Sequence, residues 1–234
     1  MKDFIKLDFL FIFAPRNEIK MRRKIVFTLF LCMAWASTAS AQNTIESIRK
    51  AYQDIHQTIA QMKPDGDGVG EMPPAYYNLQ VVQNLPGTGP HEENIRMYYG
   101  DLEPKEEFDP YPPHYLRFTT VKYNFAAREF YEEYLYDSKG QVMFIYAITP
   151  DVGEDMVPYE LRLWLDGNRL LRFTAKKAEG INSLDIASVR KASFREVYSG
   201  TTIPELYRRE TSRCQQRAQK YLTMFKGIDD NTNL

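Results

Sequence analysis

The sequence predicts an α+β fold: an antiparallel meander of about six or seven strands, with an N-terminal helix and two C-terminal helices packed on one face. Three observations predict this fold. Apolar residues recur with helical spacing near both ends of the chain. Between 76 and 175 the period changes to two, and aromatic and β-branched residues are enriched, as is typical of strands. The later connections are too short for parallel crossovers, so the strands are predicted to be antiparallel.

The segment 21–41 has the three parts of a bacterial secretory signal peptide. Met21 is followed by three basic residues, an apolar run extends over 25–36, and small residues end the segment at Ala41. The run is shorter than the roughly 20 apolar residues of a membrane-spanning helix. We therefore expect an exported protein, periplasmic or extracellular, without a membrane span after cleavage. Residues 1–20 precede this complete signal and are interpreted as an extension upstream of the true start at Met21.

Charge and cysteine content narrow the function of the segment 42–234, which is long enough for one globular domain. Of the chain's 30 Lys/Arg and 31 Asp/Glu, seven and three lie in the first 41 residues, so the rest has a net charge of −5. Nucleic-acid-binding domains usually carry a basic excess, and no nucleic-acid partner is expected. Cys32 lies within the signal, so Cys214 would remain as a single thiol without a disulfide partner.

Helical periodicity places one helix before the strands and two after them. The first has a single apolar stripe, and Asn43 with Glu46 resembles a capping box at its start. The second is predicted to end at Gly200, and Gly227 is predicted to stop the third. The predicted helices are 44–63, 183–198 and 204–226.

Seven segments have strand character, and two turns suggest their register. The loop at 138–140 carries Gly140 where a left-handed residue is needed. We predict that the strands of this hairpin place seven side chains on the same face of the sheet: Phe130, Glu132, Tyr134, Val142, Phe144, Tyr146 and Ile148. With 166–168 as the next loop, Leu163 is placed opposite Leu171, and Leu161 opposite Phe173. The candidate strands are 76–83, 94–99, 115–123, 129–136, 141–148, 159–165 and 169–175.

No arrangement in the sequence has the spacing of a catalytic, metal or cofactor site. His56, His91 and His114 are far apart, and no two of them lie at i, i+4 on one helix. A Gly-x-Ser-x-Gly elbow is absent from the sequence. The segment 65–71 resembles the start of a calcium loop, but unsuitable residues occupy two ligand positions, so a flexible loop is preferred. We expect no catalytic residue, metal or cofactor, and a surface role for the histidines.

Two adjacent glutamates, Glu132 and Glu133, occur in the strand predicted at 129–136. Successive strand residues point to opposite faces, so the two carboxylates cannot act together on one substrate. Glu132 falls among aromatic residues, and we place it at a sheet edge where it reaches water. Two alternatives remain for Glu132: a carboxylate with a raised pKa, and one that accepts hydrogen bonds from tyrosines such as Tyr146.

The last predicted helix carries a basic ridge formed by Arg209, Arg213 and Arg217 at i, i+4 spacing. An envelope phosphate or an acidic glycan is a conceivable partner for this ridge. We prefer a solvated helix face beside the acidic segment 92–109. Cys214 falls on the apolar stripe of the same helix and is predicted to be a buried small hydrophobe rather than a reactive thiol.

The best candidate binding surface is the sheet face that carries Arg162, Trp164 and Arg172, joined by Glu133. The predicted register also places Leu170 on this face, which is therefore mixed rather than purely polar. Tryptophan and tyrosine offer apolar area with a polar tip, which suits carbohydrate and protein partners. The competing interpretation is an ordinary solvated sheet face.

Two stretches resemble a group of small exported proteins from gut-type Gram-negative bacteria. The first is the segment 128–137 (REFYEEYLYD) with the hairpin at Gly140, and the second is the turn at 84–90 (NLPGTGP). The resemblance covers most of the segment after residue 41 and implies export and a single domain. The group has no assigned activity, so no functional residue is carried over.

Together these features predict an exported, non-catalytic binding or accessory protein whose partner is a protein, peptide or glycan of the cell envelope. A hydrolase that uses carboxylates such as Glu132 is one alternative, and a structural component of the envelope is another. A concave pocket where two ionisable groups converge would favour an enzyme, whereas a flat aromatic face would favour binding.

Overall fold

Eight strands of the described chain form one antiparallel sheet, in which each strand pairs with its neighbours in sequence. The computed structural model describes residues 43–61, 76–103, 112–150, 152, 157–180 and 185–232; the proposed signal segment and the segment 65–71 lie outside them. The strands are β1 (Tyr76–Leu85), β2 (Gly89–Asp101), β3 (His114–Phe125), β4 (Arg128–Tyr136), β5 (Val142–Thr149), β6 (Tyr159–Asp166), β7 (Arg169–Ala178) and β8 (Phe194–Gly200).

The helices confirm the α+β class but change its C-terminal part. The segment 183–198, predicted to be one helix, contains a single helical turn followed by β8. Asp185 caps this turn by accepting hydrogen bonds from the backbone of Ala187 and Ser188. The strand β8 then forms because it pairs with the main-chain N–H and C=O groups at the outer edge of β7, which would otherwise have no hydrogen-bond partner in the sheet. The described helices are α1 (Ile45–Gln61), α2 (Ile186–Val189) and α3 (Glu205–Thr232).

The two long helices lie on opposite faces of the sheet, whereas the sequence analysis placed them on one. Ile48 and Ile55 of α1 cluster with one cross-strand row, formed by Tyr98, Phe118, Leu135, Phe144 and Trp164. We call this side the α1 face. The other side, the α3 face, packs against Cys214, Ala218, Tyr221 and Phe225 of α3. Both faces are apolar: all five residues from 132 to 136 in β4 are buried.

Bulges change the predicted register of both hairpins. Val142 lies opposite Tyr136, but Phe144 lies opposite Leu135, so the pairing shifts by one residue after the turn. Phe144, Tyr146 and Ile148 therefore lie on the α1 face, and Phe130, Glu132 and Tyr134 on the α3 face. In the next hairpin the loop has two residues, and a further shift places Leu163 opposite Phe173 and Leu161 opposite Ala175. That shift also moves Leu170 to the α3 face.

The start of α1 is fixed by a reciprocal cap. The Thr44 hydroxyl accepts a hydrogen bond from the Ser47 amide at 3.1 Å, and the Ser47 hydroxyl accepts one from the Thr44 amide at 3.0 Å. Thr44 and Ser47 thus form the capping pair that was predicted for Asn43 and Glu46. The Asn43 amide instead donates to Asp166 at the end of β6, 3.2 Å away, which ties the start of the helix to the sheet.

Candidate functional site

Three of the four predicted binding residues line one pocket. Trp164 of β6 and Arg172 of β7 lie directly opposite each other, and Arg162 lies two residues from Trp164 on the same face. The pocket lies between α1 and the strands β5 to β8 and has a volume of about 380 Å³. Its other lining residues are Ile48, Arg49, Tyr52, Gln53, Phe144, Thr174, Lys176 and Glu196.

The floor of the pocket is apolar and firmly packed. Trp164 is only 5% exposed, and its ring centroid lies 5.2 Å from that of Phe144. Tyr52 of α1 packs against Phe144 at 4.9 Å in an edge-on arrangement. Since α1 is held to the sheet by these rings and by Ile48, the wall and the floor of the pocket form one rigid unit.

Two arginines flank the Trp164 ring, and neither has a carboxylate partner among the residues that the structure describes. The Arg49 Cζ atom lies 5.9 Å from the ring centroid and the Arg172 Cζ atom 5.8 Å, both within cation–π range. The Arg172 guanidinium also donates to the Ser199 hydroxyl at 2.8 Å. Within the described chain, neither arginine forms an ion pair. The pocket therefore holds two positive charges that no carboxylate of the described residues compensates.

The other two cations of the pocket share one buried carboxylate. Arg162 Nε lies 2.9 Å from Glu160 Oε1, at an angle that makes the contact an ion pair rather than a hydrogen bond. Lys176 Nζ lies 3.7 Å from the same oxygen. Even with Glu160 and the lining residue Glu196 counted, four cations face two carboxylates at this site. The local charge is thus positive in a chain that is acidic after residue 41.

Glu133, the fourth predicted residue, lies on the same face but supports the pocket instead of lining it. Its carboxylate is 2% exposed and accepts hydrogen bonds from Tyr131 at 2.5 Å and from Tyr52, and it contacts His56 Nε2 at 3.2 Å. Burial raises the pKa of Glu133, but the hydrogen bonds from His56, Tyr131 and Tyr52 outweigh that effect and lower its pKa below 4.5. The charged carboxylate thereby holds Tyr52 in the pocket wall.

Glu132 lies on the α3 face, in a buried ionic network rather than at a water-exposed edge. It accepts hydrogen bonds from Tyr123 at 2.9 Å, Tyr134 at 2.5 Å and Arg217 Nε at 2.8 Å. Arg217 also donates to Glu93 at 3.1 Å. Of the two alternatives for Glu132, hydrogen bonding by tyrosines is therefore the one found, although Tyr146 is not among the donors.

The predicted basic ridge of the last helix is divided by this network. Arg217 faces the sheet, with its side chain 17% exposed, and is not solvated as predicted. Arg209 is exposed, and Arg213 pairs with Glu210 at 2.6 Å. Cys214 is buried as predicted, and burial raises the pKa of its thiol well above the ordinary value.

Sequence reasoning missed several residues of the pocket, some of which carried a signal. Lys176 follows Arg172 and Thr174 at the period of two that defines a strand face, so it could have been found. Arg49 and Gln53 border the apolar stripe of α1, but nothing in the sequence showed which sheet face the helix covers. His56 is 41% exposed, and its contact with Glu133 joins residues 77 positions apart.

Comparison with family models, curated proteins and solved structures finds no significant match to this chain. The resemblance to exported proteins of gut-type bacteria thus stays a prediction. Within the residues that the structure describes, no three His, Cys, Asp or Glu side chains form a metal-binding cluster. The helices in this part of the chain are too short or too polar to cross a membrane.

Proposed function

We propose that this chain is an exported, non-catalytic binding protein whose pocket between α1 and the sheet takes an anionic ligand. The observation that carries the proposal is the pair of guanidinium groups, Arg49 and Arg172, which flank Trp164 without a carboxylate partner in the described chain. Arg49 is exposed and Arg172 is half-buried, so an anion that supplies a counter-charge can reach both guanidinium groups. A ligand that supplies this counter-charge would complete the site.

The chemistry of the guanidinium group narrows the ligand to a carboxylate or a phosphate. Both anions match the planar fork of arginine, which can donate two parallel hydrogen bonds to them. Trp164 restricts both guanidinium groups through cation–π contact, so less conformational entropy is lost on binding. The apolar floor formed with Phe144 and Ile48 favours an anion that also has an apolar part or a ring.

The two alternative functions have less support from the geometry. A hydrolase based on Glu132 would need that carboxylate in a cleft, but it is 2% exposed and hydrogen-bonded by Tyr123, Tyr134 and Arg217. A structural envelope component would not need Arg49 and Arg172 to lack a carboxylate partner in the described chain. Export and an envelope-derived ligand remain part of the proposal because they follow from the predicted signal at 21–41.

Tryptophan fluorescence offers a direct test. The chain contains two tryptophans, Trp35 and Trp164, so the Trp35→Phe variant reports on the pocket alone. Titration with benzoate, glucuronate and inorganic phosphate should change the Trp164 emission in a saturable way for at least one anion. In this background Arg172→Ala should weaken binding by about 10- to 100-fold, as expected for the loss of a hydrogen bond to a charged group.

The matched control is Arg195→Ala, which removes an arginine of β8 that pairs with Glu179 and does not line the pocket. It should bind the same anion with unchanged affinity. If no anion changes the Trp164 emission of a folded sample, or if Arg172→Ala binds as tightly as its parent, the proposed function is wrong.

A further inference from the structure

A second pocket lies on the α3 face, at the end of the sheet where two hairpin turns meet the last helix. Its volume is about 450 Å³. The turn between β4 and β5 contributes Gln141, the turn between β6 and β7 contributes Asn168, and α3 contributes Gln215 and Gln219, one helical turn apart. Carboxamide groups from three separate elements therefore converge on one concave surface.

The framework of this second pocket is well defined. The Asp137 carboxylate accepts hydrogen bonds from the amides of Lys139 at 2.9 Å and Gln141 at 2.8 Å, which fixes the first turn. Gly140 has φ +79°, and a Cβ atom there would lie 3.3 Å from a methyl carbon of Leu222, so α3 packs tightly on that turn. These contacts fix the backbone of the turn against the helix from which the carboxamide side chains project.

The side-chain amides of this pocket are uncharged and exposed, so a ligand can reach them. Gln141, Asn168, Gln215 and Gln219 make no side-chain hydrogen bond to any other described residue. No charged side chain is among the lining residues of this pocket in the described chain. Its floor is apolar and is formed by Val142, Ile145 and Leu165. A charged ligand would find no counter-charge here, in contrast to the pocket on the α1 face.

We infer that this second pocket binds a neutral saccharide. A carboxamide both donates and accepts hydrogen bonds, as a sugar hydroxyl does, so each can satisfy the other. Val142 is the partly exposed residue of the floor and would contact the C–H surface of a sugar ring, with Ile145 and Leu165 buried beneath it. The volume lies within the usual range for small-molecule sites.

A peptide fits the second pocket less well than a saccharide. Extended peptides bind by pairing their main chain with an open strand edge. The strands β4 to β7 beside this pocket are all paired on both sides, so they offer no such edge. The available groups are side chains grouped around a cavity, which suits a compact polyol.

Isothermal titration calorimetry of the full chain with maltose, cellobiose, lactose and chitobiose tests this inference. At least one disaccharide should bind, and Gln219→Ala and Gln215→Ala should each weaken its binding by about tenfold or more. The matched control is Gln216→Ala: this glutamine of the same helix is exposed like Gln215 and Gln219 but does not line the pocket, so the variant should bind as the parent does.

Three results would overturn the inference: no heat of binding from any of the four sugars with a folded protein, binding that survives both lining substitutions, or binding of trialanine in their place. The result of this calorimetric experiment does not depend on the anion site. That site lies on the other face of the sheet and is tested separately through the Trp164 emission.

Discussion

The α1 face and the α3 face of the sheet each bury one of two adjacent glutamates, and they compensate charge in different ways. On the α3 face, Glu132 and Glu93 share the Arg217 guanidinium, and tyrosine hydroxyls satisfy the remaining oxygen lone pairs. On the α1 face, Glu133 is held by tyrosines and a histidine, while Arg49 and Arg172 of the nearby pocket have no carboxylate partner in the described chain.

This difference separates structural charges from candidate functional charges. A buried ion pair contributes to a stable structure only when its partners satisfy one another, as they do around Arg217. Arg49 and Arg172 pair with no described carboxylate, so their presence next to a pocket has no structural explanation of the same kind. Charge compensation, rather than residue type, is what distinguishes Arg217 from Arg49 and Arg172.

The largest expected effect is the loss of Arg217. Arg217→Ala would leave Glu132 without its ion-pair partner and Glu93 with Lys220 alone, so the free energy of unfolding should fall by about 3 kcal/mol. Urea unfolding followed by circular dichroism measures this change. The control is Arg208→Ala on the exposed side of α3, which should alter the stability by less than about 0.5 kcal/mol. Equal losses in the two variants would contradict a structural role for the α3-face network.

The antiparallel meander was predictable from the sequence, but the assignment of its faces was not. Short turns such as 138–140 fix the strand order, whereas alternation fixes a face only when the other side is polar. In β4 the residues 132 to 136 are all buried, so the pattern does not distinguish the two sides. The bulges after Leu135 and Trp164 then reverse the side chains within a hairpin, and they leave no sequence signal that we can identify.

The candidate site was predictable where it depends on a single strand or hairpin. Arg162, Trp164 and Arg172 share a face because the period of two holds within β6 and the bulge falls after Trp164. The sequence could not place Arg49 beside these three residues, since its position depends on which face of the sheet α1 covers. Long-range packing of a helix on a sheet is set by tertiary contacts that local periodicity does not contain.

An intermediate effect is expected for Glu133. The Glu133→Gln variant loses charge-assisted hydrogen bonds, so its free energy of unfolding at pH 7 should be lower than that of the parent by about 1–2 kcal/mol. The pKa of Glu133 is lowered in the folded protein, so its stabilising contribution is present above 4.5 and is lost as the pH falls through the folded-state pKa. The difference between parent and variant should therefore shrink below pH 4.5.

Urea unfolding at pH values from 7 to 3 measures the effect of Glu133. The exposed Glu205 supplies the matched control, since Glu205→Gln should follow the parent across the whole range. A difference between parent and Glu133→Gln that stays constant from pH 7 to pH 3 would show that the carboxylate charge does not contribute. In that case the hydrogen bonds from the tyrosines and His56 would stabilise the protein equally whether the side chain at position 133 is charged or neutral.

The smallest effect on stability is expected for Arg172→Ala. No described carboxylate depends on Arg172, and its removal relieves repulsion from the neighbouring cations of the pocket, which offsets the lost contact with Trp164. The free energy of unfolding should change by less than about 0.5 kcal/mol, although anion binding weakens by about 10- to 100-fold. A loss as large as that of Arg217→Ala would instead make Arg172 a structural residue. Arg172 would then stabilise the fold on the α1 face as Arg217 does on the α3 face. The main observation in favour of a ligand in the pocket would no longer support one.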